Sequence, residues 1–310
     1  MTDRDDRRLH LPQDSYCFPT TIFLSLNIFL RNPKIFLSIF ALATLPVSLL
    51  LFLLALSSSP IKSQILLLEA VAQVAPTRFE ARHVWDESRA AALSLLARKA
   101  LVFAPCFALS LAAFVSAATS VAAAAAGRRP SLAAAASAVR LSWKRPAATA
   151  ICAYGVVLVY GHALRTLAVL APAGVSRMAV AVVGAGFEVY LMGVLSLSLV
   201  ASVLEDQVGW DAIRVGWNLM GGRRFCGWAI SGCLLTVTSF IGWELEGMDG
   251  RDKVWGLTST AAMEVVMEYG DKLGLACLFG LVVLWGYVVV TVFYVGCKKS
   301  NVKEENGTVI

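Results

Sequence analysis

The chain has little of what aqueous chemistry uses. Histidine occurs three times in 310 residues, and Asp, Glu, Lys and Arg together make up only 15%. There is no G-x-S-x-G, no H-E-x-x-H, no P-loop and no pair of aspartates within an apolar run, so the common hydrolytic and phosphate-handling signatures are missing. His10 and His83 stand alone and read as solvent-facing. The seven cysteines form no C-x-x-C and no Cys/His metal spacing, which leaves neither a disulfide framework nor a metal site. No basic stretch is interleaved with aromatics, so nucleic acid is not an expected partner, and nothing points to a cofactor. No long polar region exists on which a separate soluble domain would stand.

What the chain does have is length in apolar runs. Hydrophobic residues make up 58% and the mean hydropathy is +0.70. Six runs divide the sequence: Ile35–Leu56, Ala100–Ala126, Ala147–Ala168, Met178–Leu204, Phe225–Trp243 and Leu273–Cys297. A hydrocarbon core of ~30 Å needs ~20 mostly apolar residues in a helix. The expectation is therefore an all-α polytopic membrane bundle of six transmembrane helices, forming a single integral membrane domain over 1–310 with short tails at 1–20 and 298–310. The first twenty residues are too polar for the core of a signal peptide, so Ile35–Leu56 reads as a retained signal-anchor. Asp3, Asp5 and Asp6 argue against an organellar transit peptide. The endoplasmic reticulum or the plasma membrane is the expected location.

The net charge of +6 is distributed as a membrane surface requires. Basic pairs flank the runs at Arg31/Lys34, Arg128/Arg129, Lys144/Arg145, Arg223/Arg224 and Lys298/Lys299. With the N-terminus in the cytoplasm, the inner segments carry 16 Lys and Arg. The two short outer segments, 165–177 and 244–272, carry 5, while the long segment 57–99 translocates largely regardless of charge. Both termini are thus expected to be cytoplasmic. None of the cysteines falls in an outer segment, and most read as small apolar packing residues. Cys297, beside Lys298 and Lys299, reads either as packing or as a palmitoylation site.

A pattern recurs before every odd-numbered run. A short amphipathic segment is followed by a breaker or basic junction: Ser25 to Pro33, Ser137 to Pro146, and Ala212 to Arg224. Pro33, Pro146 and Gly221-Gly222 are where a surface helix would end and the chain enter the bilayer. This predicts three two-helix units, each preceded by a cytoplasmic interfacial helix, arranged as parallel internal repeats. Ser131 is a natural N-cap for the second such helix. In the third, Trp210, Ile213, Trp217 and Met220 share a stripe, with Asp211 near its start and Arg223 and Arg224 past its end, as the helix dipole favours. Trp143, Trp210, Trp217, Arg223 and Arg224 are the expected interfacial anchors. The competing reading makes these helices cytoplasmic extensions of the spans; the breakers favour the interfacial one. Segment 57–99 is expected to be helical, with a stripe ending before Pro76, and a further helical stretch is expected near Thr258–Tyr269. The alanine-rich stretch from Ala112 to Ala126 reads either as close helix packing or as compositional drift.

One group of charges lies within the runs. Glu188 is about ten residues into the fourth, and His162 and Arg165 are in the outer part of the third. If the two form a hairpin turning near Pro172–Gly174, residue 188 faces roughly residue 158, and His162 lies ~6 Å away in depth. A charge deep in a bilayer costs ~2.5–3.5 kcal/mol, so this cluster is either a structural clasp or part of a proton relay. The intramembrane Ser and Thr, such as Thr119, Ser196, Ser198 and Thr236, are expected to bond their own helix backbone.

The run Ala201-Ser-Val-Leu-Glu-Asp206, followed by Gly209-Trp-Asp-Ala-Ile-Arg214, Trp217-Asn-Leu-Met-Gly221 and Arg223, resembles a family of plant multi-pass membrane proteins of unknown function. That family is distantly similar to the membrane domain of some glycerophosphodiester phosphodiesterases and to bacterial inner-membrane proteins. The resemblance implies a fold and a membrane location and carries no catalytic residues; this chain has no phosphodiesterase domain. The expected role is a non-enzymatic scaffold, sorting or interaction protein whose partners are membrane lipids and other membrane proteins. The alternative is a transporter of small molecules, ions or lipids using Glu188, His162 and Arg165.

Overall fold

Every described element of the computed structural model is helical. A chain that cannot satisfy its backbone with water in the bilayer core has few other options. The structure describes residues 18–74, 78–171, 174–205, 207–247 and 261–307. The readings made on His10, Cys17, Pro76, Pro172, Asp206 and the start of the Thr258–Tyr269 stretch lie outside these residues. In chain order the elements are α1 (Phe18–Arg31), α2 (Pro33–Ile39), a π-helical turn (Phe40–Thr44), α3 (Leu45–Val74), α4 (Arg78–Ala125), α5 (Leu132–Ser142), α6 (Lys144–Leu170), α7 (Val175–Leu204), α8 (Trp210–Gly221), α9 (Arg224–Gly247) and α10 (Ala261–Gly307).

Among the described residues, six stretches are long and apolar enough to cross a membrane: Pro33–Gln73, Arg82–Ala125, Lys144–Leu170, Ser176–Leu204, Arg224–Glu244 and Gly270–Ser300. Each contains one of the six apolar runs, apart from Ala126, which lies in the turn that closes α4. The first two are much longer than their runs. Helix propensity does not stop where hydropathy does, and the Ala-, Leu-, Glu- and Arg-rich flanks on both sides of Pro76 continue as helix. Segment 57–99 is accordingly helical over its described residues.

Local chemistry sets the breaks. Asn32 precedes Pro33, a position that disfavours helical backbone, and α1 ends there. The ring of Pro46 would meet the Leu42 carbonyl in a regular helix; the π turn just ahead of it widens the backbone, and Thr44 Oγ1 donates to the Phe40 carbonyl at 3.2 Å. Ser131 caps α5 as expected, its side chain accepting from the Ala134 N–H at 3.2 Å. Gly174 and Gly209 take positive φ of 107° and 60° immediately before α7 and α8, backbone that glycine reaches without Cβ strain. The last exposed carbonyls of α6 gain a donor from across the turn: Arg177 Nε bonds the Ala168 oxygen at 3.0 Å.

The chain divides into two interleaved compact units. One takes in Met1–Ile39, Leu111–Val237 and Leu284–Ile310; the other takes in Phe40–Ser110 and Thr238–Val283. In the first, Val194, Leu197 and Val200 of α7, Met220 of α8, Ile230 of α9, and Val289 and Phe293 of α10 form the buried core. Ala113, Ala117 and Ala118 of α4 are wholly buried, so this part of the alanine-rich stretch serves close packing. In the second unit, a Cβ placed on Gly280 of α10 would stand 3.2 Å from the Thr44 carbonyl oxygen, which marks a close approach of two backbones.

Several hydroxyl groups within the spans are satisfied locally, although the buried Ser120 Oγ is not. Ser196, Ser198, Thr236 and Thr119 donate to carbonyls three or four residues back, at 2.7–3.2 Å.

Candidate functional site

The best-defined assembly of side chains in the first unit is built on α7, against which α6 and α8 pack. α6 and α7 approach closely at Gly184, where a Cβ would overlap the Leu164 side chain. The missing side chain also exposes the Gly184 carbonyl, and Tyr160 Oη donates to it at 2.6 Å. Two residues on, the Gly186 carbonyl accepts from Trp228 Nε1 of α9 at 3.1 Å. An aromatic run continues from Tyr160 through Phe187 and Tyr190 to Trp217 of α8, with ring centroids 5.4, 6.3 and 5.5 Å apart. The α6–α7 register is close to the one expected from the turn, with residue 160 beside 184 and 187.

Glu188 lies just beyond this aromatic run, close enough for its charge to act on Tyr160. Its side chain is exposed, and so are those of His162 and Arg165. Among the described residues no hydrogen bond or ion pair joins the three. These three side chains thus point outward from α6 and α7, away from the packed core.

Helix α8 is fastened at three points. The Gly209 N–H donates to Thr149 Oγ1 of α6 at 3.0 Å in a buried bond. Gly216 lies against the α7 backbone: a Cβ there would be 2.7 Å from the Val194 oxygen and 2.9 Å from the Ser198 nitrogen. Met220 is wholly buried between two glycines, since a Cβ on Gly193 would come 2.9 Å from its Cε and one on Gly227 would come 2.6 Å from the same atom. The contact line of α8 therefore runs through Ala212, Ile213, Gly216, Leu219 and Met220. Trp210 and Trp217 do not share it; they flank it and remain 69% and 49% exposed. A glycine brings the two helices together at position 216 and turns the larger side chains outward. Trp143 is likewise half-exposed, at the junction of α5 and α6. Arg224 is exposed at the start of α9, whereas Arg223 Nη2 donates to Ser300 Oγ of α10 at 3.1 Å.

Glu205 ends α7 and was not singled out as a site residue by sequence reasoning, although it lies in the run 201–206. Its carboxylate accepts from the Tyr294 hydroxyl and from Lys298 Nζ, the latter at 2.7 Å. Burial opposes its ionisation, but the hydrogen bonds from Lys298 and Tyr294, together with the Lys298 charge, outweigh that and hold the carboxyl below its ordinary value. Glu205 and Lys298 are 93 residues apart, so no local spacing reveals the pair. Cys106 and Cys297 are buried and Cys152 is exposed, all as free thiols.

A family model described as a domain of unknown function (DUF8558) matches residues 18–306. No curated protein and no solved structure matches the chain.

Proposed function

Since the chain belongs to the DUF8558 family and carries, among its described residues, six stretches long and apolar enough to cross a membrane, we propose that it acts by binding within the membrane, as a non-enzymatic scaffold, sorting or interaction protein of the secretory pathway. The observation that carries this reading is that Glu188, His162 and Arg165 are each exposed on α6 and α7. Ionisable groups in spans ordinarily turn inward, because exposure to hydrocarbon costs ~2.5–3.5 kcal/mol each on insertion scales. Spans that carry charge of both signs outward are ones that partner helices with complementary polar groups complete. The transport alternative would use the same three residues, but as a path through the bundle rather than a face on its outside.

The finer parts of the reading follow the charge distribution. Both termini are cytoplasmic, and α1, α5 and α8 lie on the cytoplasmic surface, each ahead of two spans, with residence in the endoplasmic reticulum or plasma membrane. The kinship with plant multi-pass proteins and the phosphodiesterase membrane domain belongs to the same proposal and rests on residues 201–223.

The test is Glu188→Gln in the full chain. Binding predicts unchanged stability of the isolated protein and loss of its membrane-protein neighbours in proximity labelling from the C-terminal tail. A structural clasp would lose stability instead, and a transporter would lose pH-dependent flux with its neighbours retained. The tail's Asn306-Gly-Thr308 sequon reports topology independently: endoglycosidase should leave the protein's mobility unchanged.

A further inference from the structure

A groove of about 450 Å³ opens where α6, α7 and α8 meet. Its floor is apolar, formed by Val156 of α6, Leu191 and Leu195 of α7 and Ile213 of α8. Its rim is of another kind: α8 supplies Trp210, Asp211, Arg214 and Trp217. The two indoles are largely exposed. Asp211 and Arg214 are also exposed, and among the described residues neither makes a hydrogen bond or ion pair. Three residues apart on one helix, they point to neighbouring positions on its surface.

Depth identifies what such a groove meets. The apolar span in α7 is 29 residues, about 43 Å at the helical rise, and so exceeds a hydrocarbon core of ~30 Å. Twenty residues counted from Ser176 end at Leu195. That is where α8 crosses, since Gly216 lies against Val194 and Ser198. With Ser176 as the far edge of the core, and α8 on the membrane surface as in the proposed reading, the α8 rim stands at the boundary between acyl chains and headgroups. The floor then lies on the acyl side of it.

We propose that this groove holds one zwitterionic phospholipid. An acyl chain lies on Val156, Leu191, Leu195 and Ile213. The phosphate meets the Arg214 guanidinium, whose planar fork suits phosphate oxygens. The ammonium or choline group meets the Asp211 carboxylate and the face of an adjacent indole, which attracts cations. One charge of each sign at the rim matches a headgroup with one of each. A purely anionic headgroup would gain Arg214 but face Asp211.

The occupant of this site is distinct from the partner of the Glu188 face, although the proposal shares the surface placement of α8 with that reading. The experiment is native mass spectrometry of the full chain in mild detergent, titrated with phosphatidylcholine and phosphatidylglycerol of identical acyl chains. Wild type should retain a single phosphatidylcholine in preference to phosphatidylglycerol. Arg214→Ala should weaken phosphatidylcholine binding about tenfold, the scale of one charge-assisted hydrogen bond. Asp211→Asn should abolish the preference between the two lipids, and Val156→Trp, which fills the floor, should remove both. Because Arg214 and Asp211 are surface residues, their variants keep the test decisive if Val156→Trp does not fold. Glu188→Gln should leave lipid retention unchanged, so a failure of the partner reading is told apart from a failure here. Equal uptake of both lipids by wild type, or an undiminished phosphatidylcholine adduct in Arg214→Ala, would overturn the proposal.

Discussion

Tyr160 of α6 donates its hydroxyl to the Gly184 carbonyl of α7 at 2.6 Å, at the point where a side chain on residue 184 would collide with Leu164. The same glycine thus permits the close approach and exposes the acceptor. A helical carbonyl keeps a second lone pair after its backbone bond, and the phenol uses it without breaking the helix. Trp228 does likewise at Gly186 from α9, so two helices are tied to one short stretch of α7.

Tyr160→Phe removes the bond and little volume. Interhelical hydrogen bonds in membranes average about 0.6 kcal/mol and reach about 1.7, and a loss in that range is expected. Reversible unfolding in mixed micelles would measure it; an unchanged midpoint would show that the bond adds nothing to stability.

Two glycines of α8 should behave oppositely. Gly216→Ala forces a methyl group against the α7 backbone and should cost about 1–3 kcal/mol as overpacking, with faster amide exchange along α8. Gly221→Ala has open space around it and should change stability by less than about 0.5 kcal/mol. Equal effects at the two positions would mean that α8 does not pack on α7 as described.

Met220→Ala should be among the costliest single changes in the first unit. It empties a wholly buried site, for which about 2–5 kcal/mol is typical, while Met220→Leu should cost below about 1.5 kcal/mol. Thermal melts of the two variants side by side would decide the matter.

Stability should depend on pH through Glu205. Its folded-state value lies below its unfolded one, so its contribution is present above the unfolded value and disappears as pH falls through the folded value. Acidifying from neutral into the range below ordinary carboxylates should lower the melting temperature of wild type more than that of Glu205→Ala. At neutral pH that variant leaves the buried Tyr294 hydroxyl without its acceptor and should cost about 1–3 kcal/mol; the more exposed Lys298 partner adds below about 1 kcal/mol. Parallel pH curves for the two proteins would remove Glu205 from the acid response.

The spans were legible in the sequence because lipid imposes a length on every apolar run, and the α6–α7 register followed from one short turn. Helix extent was less so: the polar flanks on both sides of Pro76 are good helix formers, and hydropathy is blind to that. Glu188, His162 and Arg165 could be picked out by their cost in a bilayer, but the side of the bundle they face depends on packing and not on spacing. The stripe joining Trp210, Ile213, Trp217 and Met220 had the right period. It missed that a glycine beside Trp217 would become the contact and displace both tryptophans to the flanks. Glu205, Tyr294 and Lys298 meet only when the middle and last parts of the unit have folded together, so no window of sequence contains them.

The Met220 cradle gives assembly a direction in time. One wall of its slot, at Gly193, is synthesised before the methionine, and the other, at Gly227, after it. As the chain is made from its N-terminus, α8 can settle on α7 through Gly216 while the far side of Met220 is still open. Synthesis of α9 then closes the slot. On that order the nascent helix would be held first and latched second, with α9 completing the slot around Met220.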